Sequence, residues 1–315
     1  MNEYISYTLL IALFTASFRI ATPLLLTSLG ELYGEKSGIL NLGMEGLMMS
    51  GTLFGFITAQ LTNDPWLGVL IGILSGGLFS LVFGFLVISL GANQVVCGLA
   101  LNLFISGISV FIYRLIYGTP YLLPFAQKPF KEIYIAGFSE IPFIGPVLFS
   151  QYALVYIAFF LVPILSIIMY RSYWGLKIIA CGENPEVATS RGINVSLVRY
   201  WCVFFGGCMA GAGGAFLSIA QINQFFPGMV AGRGFISVVL VIFGRWSPGR
   251  ILLGALLFGF IEALALQLQT LSNIPHQFLL MLPYLVTVGA LFFTRKIRYG
   301  IRPTGLAKSY RAGES

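Results

Sequence analysis

Long apolar runs with almost no charge dictate what this chain can fold into. A helix needs about 20 mostly apolar residues to cross a hydrocarbon core of about 30 Å. Runs of roughly that length fall at 5–29, 44–62, 66–90, 93–116, 150–170, 200–220, 250–270 and 276–294. A shorter run, 234–244, reads as a half-helix or as the end of a helix that begins near Met229. Within a bilayer every backbone polar group must find its partner inside the protein, so only helices or a closed barrel can span it. The alternating pattern of barrel strands is absent. The expected fold is an all-α polytopic membrane protein with about nine transmembrane helices, eight clear and one short or broken. Residues 1–295 read as a single membrane domain and 296–315 as a basic tail.

Composition removes several classes of function. Of 315 residues, 57% are hydrophobic and only 9% charged, against about a quarter charged in soluble domains. The four cysteines (Cys97, Cys181, Cys202 and Cys208) have neither metal-like nor disulfide-like spacing and read as packing residues. With His276 as the single histidine, no metal site and no histidine-based catalysis is expected. The N-terminus lacks a basic n-region and a small-residue cleavage site, and its first apolar run is long for a signal peptide, so that run is expected to remain. A P-loop needs Gly-x-x-x-x-Gly-Lys-Ser/Thr. The nearest approach here sets Glu35 between Gly34 and Lys36, where an acid would repel phosphate. No ATP or other cofactor is therefore expected on this chain. The net charge of +7 suits anionic lipid or a protein partner without invoking nucleic acid.

Positive charge orients the spans. Arg295, Lys296, Arg298, Arg302, Lys308 and Arg311 place the C-terminal tail in the cytoplasm. Counting back, 171–199 (with Arg171, Lys177, Arg191 and Arg199) and the turn with Arg245 and Arg250 also fall inside, provided 229–244 crosses. The segment 117–149 then lies outside, 30–43 inside and the N-terminus outside. Five prolines and interleaved aromatics in 117–149 suit either a platform for a binding protein or an interfacial helix.

Within 171–199, Asn184 can cap a helix, Pro185 suits its first turn, Glu186 meets the positive end of its dipole and Gly192 can terminate it. A short rigid helix over 185–190 on the cytoplasmic face suits force transmission to a soluble partner, although a plain connector is an equal reading of this segment alone.

The stretch ACGENPEVATSRGINV at 180–195 resembles the cytoplasmic coupling loop of the branched-chain amino acid and sugar permease family of ABC importers. ATPLLL at 21–26, GEKSGILNLGMEG at 34–46, NQVV at 93–96 with Asn102, GRGFI at 232–236, IFGRWSP at 242–248 and PYLVT at 283–287 are similar to its nucleoside branch. Together they cover the chain from about residue 18 to the tail. The resemblance implies a permease subunit paired with a second, related permease chain, an ABC ATPase and an extracytoplasmic lipoprotein that delivers substrate. It also implies that 183–190 docks in a groove of the ATPase, with Gly182, Glu183, Asn184, Pro185, Glu186, Ala188 and Gly192 as the coupling residues.

Polar residues inside spans are costly and so are candidates for function. Asn41 and Glu45 are candidates for a substrate pathway or, equally, for a clamp that holds a broken helix, while Asn93, Gln94 and Asn102 are candidates for the same pathway or, equally, for interhelical hydrogen bonding, with Asn93 at the helix mouth. Arg19 is expected to pair with Glu45 or Glu262, as a structural bridge. Arg233, beside Gly232 and Gly234, is expected at the outer mouth as an anchor. Glycines spaced four apart at 51 and 55, at 68, 72 and 76, and at 207 and 211 signal close helix packing. Three functional readings compete. An importer permease, with nucleosides or else sugars or branched-chain amino acids as cargo, leads. An ion-coupled transporter would want more ionisable relays than Arg19, Glu45 and Glu262, and an intramembrane enzyme would want a catalytic constellation that is missing.

Overall fold

The computed structural model describes residues 2–118, 124–126, 128, 130–134, 137–271, 278–279, 281–282, 285, 289 and 302–308. The run at 276–294, His276 and most of the tail's basic residues fall largely or wholly outside these. In order come α1 (Asn2–Lys36), α2 (Met44–Thr62), α3 (Pro65–Gly84), α4 (Gln94–Tyr117), β1 (Glu132–Tyr134), α5 (Ile144–Leu148), β2 (Ser150–Tyr152), α6 (Ala153–Arg171), α7 (Tyr173–Glu183), α8 (Pro185–Ser190), α9 (Val195–Ala215), α10 (Arg233–Phe243) and α11 (Pro248–Leu271). π-helical turns, Phe85–Ser89 and Phe216–Gln221, extend α3 and α9.

Among the described residues, six helices are long and apolar enough to cross a membrane: those within α1, α3, α4, α6, α9 and α11. Two further apolar helices, α2 and α10, are packed among them. Most of α9 is buried, between α1, α2 and α3. Side chains would hold these helices apart, and glycine removes them. A Cβ on Gly76 would overlap the Gly207 carbonyl oxygen, and one on Gly51 or Gly72 would crowd the backbone of Gly211 or of each other. The glycine repeats thus meet one another inside the chain, where bare backbones pack at short range.

The structure builds the segment before α6 into a small lid. β1 and β2 pair antiparallel, with Glu132 opposite Tyr152, and α5 lies between them in sequence. Near this lid, the Ala126 and Asn223 backbones are bonded, and an isolated bridge joins Phe125 to Gln224. On the opposite face lie the end of α1, the α7–α8 junction and residues 302–308.

The chain connects these two faces after α9 in an unusual way. Eleven residues of α10 cover about 16 Å at 1.5 Å per residue, roughly half of a hydrocarbon core. Turns over 226–232 make up the rest, and a left-handed Gly232 (φ +83°) starts the helix. Its far end meets the opposite face at Trp246, whose indole Nε1–H donates to Glu35 Oε2 at 2.6 Å. Sequence left 234–244 as either a half-helix or the end of a longer one; α10 is half-length.

Candidate functional site

Two constellations stand out, and a short piece of backbone joins them. The first is the α7–α8 junction. Ser172 caps α7 by accepting from Gly175 N (3.1 Å), and Asn184 caps α8 by accepting from Val187 N (3.1 Å). α8 opens on Pro185 with Glu186 in its first turn, and Gly192 follows it at φ +78°, a conformation costly for any side-chain-bearing residue. Ala188 is buried, whereas Asn184, Glu186 and Val187 are exposed and Glu183 and Pro185 are half-exposed. So α8 stands on its Ala188 side and offers a polar face outward. On α7, burial pushes the Cys181 thiol above its ordinary range, against the weaker pull of Arg199 and Lys177, which suits a packing residue.

Gly182 lies where three backbones converge. A Cβ there would overlap the Lys36 carbonyl oxygen and approach Gly38 N. Gly38 itself is left-handed (φ +96°) and faces Gly305 O and the Arg199 guanidinium. The Gly305 N–H donates to Gly182 O (2.9 Å), and the Ala307 N–H donates to Gly38 O (3.1 Å). Arg199, almost fully buried, donates from Nε to Ser37 O (3.1 Å).

The second constellation begins at Gly38 and runs to α10. Between α1 and α2 the chain is unwound over 37–43, and buried side chains satisfy its backbone. Gln94 Oε1 accepts from Leu40 N (2.8 Å), Glu31 Oε1 from Asn41 N (2.8 Å) and Asn41 Oδ1 from Gly43 N (2.8 Å). Asn102 bridges the break, donating to Leu42 O and accepting from Gly46 N, both at 2.7 Å. Glu45 then turns to the other broken helix: its two oxygens accept from Gly232 N and Gly234 N, each at 2.7 Å. A carboxylate across a helix N-terminus meets both the unpaired N–H groups and the positive end of the dipole.

Among the pathway candidates, the structure therefore brings Asn41, Glu45, Gln94 and Asn102 together around one clamp, with their acceptor oxygens held by backbone. Asn93 stands apart as the cap of α4, accepting from Val95 N and Val96 N. The Arg19 expectation is corrected. Arg19 pairs with Glu132 in the lid at 2.6 Å and bonds Gln151 Oε1 and Ser150 O, and its guanidinium stacks on the Tyr152 ring. Glu262 pairs instead with Arg233. The reason is level: the Arg19 part of α1 lies beside the lid, whereas Arg233 starts a helix in the interior, where a lone charge is expensive and an acid must lie near. Arg233 is accordingly half-buried inside the bundle and not an anchor at the surface; it also donates to Met229 O and Val230 O.

Sequence reasoning missed two fully buried carboxylates. Residues 30–43 read as a loop, yet α1 continues to Lys36 with Glu31 and Glu35 fully buried. Their four-residue spacing, one helical turn beyond a run of leucines, was the signal available. The tail's contacts at Gly38 and Gly182 had no sequence signal, because they depend on segments more than a hundred residues apart.

The comparisons with known proteins agree with this architecture. Residues 13–291 match the family described as branched-chain amino acid transport system / permease component. A protein of Haloferax volcanii, provisionally named a glucose ABC transporter permease protein, is 39% identical, covering 95% of this chain and 97% of its own. The guanosine ABC transporter permease protein of Bacillus subtilis is 36% identical over 88% of this chain and 89% of its own. The nucleoside ABC transporter permease protein of Lactococcus lactis subsp. cremoris is 35% identical over 88% and 90%. No solved structure matches. With a family match across nearly its whole length and an array of long apolar helices to fit it, the chain belongs to the branched-chain amino acid transport system permease family.

Proposed function

We propose that this permease carries nucleosides inward, drawing on ATP hydrolysed by a separate ABC ATPase subunit. Two relatives support the cargo: those named for guanosine and for nucleosides match over 88% of the chain. A sugar is the second reading, favoured by the 39% identity to the protein provisionally named for glucose. The capped helix α8 carries the coupling half of the proposal, since its exposed face stands on the side where the basic loops gather.

In this reading the α8 face is cytoplasmic, the N-terminus is outside, and α10 with turns 226–232 completes one of nine crossings. Gly182, Glu183, Asn184, Pro185, Glu186, Ala188 and Gly192 form the coupling segment. ATP and Mg bind on the ATPase and none on this chain. A second, related permease chain covers the exposed side of 226–232 and α10, and substrate passes between the two. Asn41, Glu45, Gln94 and Asn102 shape that path from behind by fixing the ends of two broken helices, as half-helix termini do at other transport sites. A lipoprotein delivers substrate at the lid, where Trp66, Phe130, Lys128 and Lys131 line an open cleft of about 740 Å³. When ATP closes the ATPases, α8 moves and the path reopens on the other side.

The test is uptake into proteoliposomes holding the whole complex. ATP-dependent entry of purine or pyrimidine nucleosides, with glucose and branched-chain amino acids excluded, is the expected result. Glucose entry would transfer the cargo to the second reading. Uptake driven by an ion gradient without ATP would remove the importer reading altogether.

A further inference from the structure

The tail beyond the last membrane helix reads from sequence as a basic appendage. In the structure, residues 302–308 are folded into consecutive turns against the coupling segment. Leu306 and Pro303 are buried and anchor them, and two backbone bonds, at Gly182 O and Gly38 O, fix their register. Thr304 adds side-chain contacts. Its hydroxyl donates to Glu183 O, and its N–H meets Glu183 Oε2 at 3.4 Å. Thr304 and Lys308 face outward and remain exposed. Between them and the first turn of α8 lies an open groove of about 310 Å³, walled by Glu183, Asn184, Pro185 and Glu186 on one side and by Thr304, Gly305 and Lys308 on the other.

We propose that the turn over 304–308 is the second half of the ATPase docking surface, so that the ATPase grips α8 and the tail together across this groove. The proposal rests on the coupling role given to α8 above and extends it to a segment far away in sequence. The chemistry of the groove selects a protein occupant. Two carboxylates, Glu183 and Glu186, repel a nucleotide's phosphates or an anionic headgroup. A mixed rim of those acids with Lys308, over threonine and asparagine, suits a polar protein surface that brings at least one cation to Glu186 and one acceptor to Lys308. The groove floor is backbone held to Gly182 and Gly38. A load on the tail therefore reaches the same junction of three backbones as a load on α8, and through Gly38 the unwound segment and Glu45.

The full complex provides the test. Lys308→Glu reverses an exposed charge without touching the buried anchors, and Thr304→Ala removes the hydroxyl contacts to Glu183. Each is reconstituted with the partner permease and the ATPase, beside Val187→Glu on α8 as a probe of the coupling helix itself. Two quantities are read: the affinity of ATPase for the membrane subunits, and ATP hydrolysed per substrate moved. Lys308→Glu is expected to weaken association about tenfold, the scale of one lost interface contact, and Thr304→Ala to raise the ATP used per substrate. If Val187→Glu disrupts assembly while both tail variants assemble and transport as the unaltered complex does, the tail proposal is overturned and the coupling-helix reading stands. If all three behave as the unaltered complex, both fall.

Discussion

The carboxylate of Glu45 lies 2.7 Å from the backbone nitrogen of Gly234, while its other oxygen takes the N–H of Gly232. One side chain at the start of α2 thereby closes the start of α10, and so ties the broken end of one helix to the other. Gly234 permits this approach, since a Cβ there would overlap the Glu45 backbone.

Glu45→Gln keeps the shape but replaces one acceptor with an NH₂ that faces a backbone donor. It is expected to cost about 1–3 kcal/mol, the penalty of leaving a buried donor unpaired, and to reduce transport with normal insertion. Thermal melting of the purified complex and vesicle uptake check this; wild-type values in both would show that the cap is dispensable.

Arg233 and Glu262 form a half-buried ion pair within the bundle. Glu262→Gln strands a half-buried guanidinium and is expected to destabilise, by less than the roughly 3–5 kcal/mol of a fully buried pair, whereas the double substitution Arg233→Met, Glu262→Leu recovers more than half of that. A double-mutant cycle by thermal or denaturant melting reads the coupling. Additive single effects would mean that the two charges are independently solvated.

Gly182 and Gly107 make a matched comparison. A methyl on Gly182 meets the Lys36 carbonyl, whereas nothing lies within 4 Å of a methyl on Gly107. Gly182→Ala should therefore destabilise and uncouple ATP hydrolysis from transport, by pushing α7 off the end of α1. Gly107→Ala should be neutral or add up to about 1 kcal/mol through helix propensity. Equal melting temperatures for the two variants would contradict the close approach.

Asn184→Ala removes the α8 cap at a cost of about 1 kcal/mol to the helix, too little to unfold the protein. The expected result is a complex that inserts, binds ATPase more weakly and hydrolyses more ATP per substrate moved. Asn184→Asp or Asn184→Ser, which can still accept from Val187 N, should restore the ratio.

How much of this was legible in the sequence depends on the range of each interaction. α8 could be placed to the residue because Asn184, Pro185 and Gly192 act within one or two turns. Long apolar runs located most of the membrane helices for the same reason. Where a residue's partner is remote, the sequence ran out. Arg19 had two acids to choose from and took a third, Glu132, because the folding of the lid into a hairpin was hidden in a proline-rich segment. Glu31 and Glu35 fall in the segment 30–43, which reads from sequence as a connection on the inner side. Their burial depends on Asn41 curling back and on Trp246 arriving from more than 200 residues away. The clamp residues were singled out by their polarity, but polarity alone does not say whether an amide faces substrate or backbone.

Turns 226–232 have a consequence for biogenesis. Phe226, Pro227, Gly228 and Ala231 are exposed at a point where α10 has yet to begin, and non-helical backbone at membrane depth is tolerated only against protein or water. In the proposed assembly a second permease chain covers that stretch, and a copy made without it is expected to set the stretch against acyl chains. The subunit should therefore be short-lived as an orphan, removed by membrane proteolysis when expressed alone and rescued by co-expression, so that its abundance follows the supply of its partner.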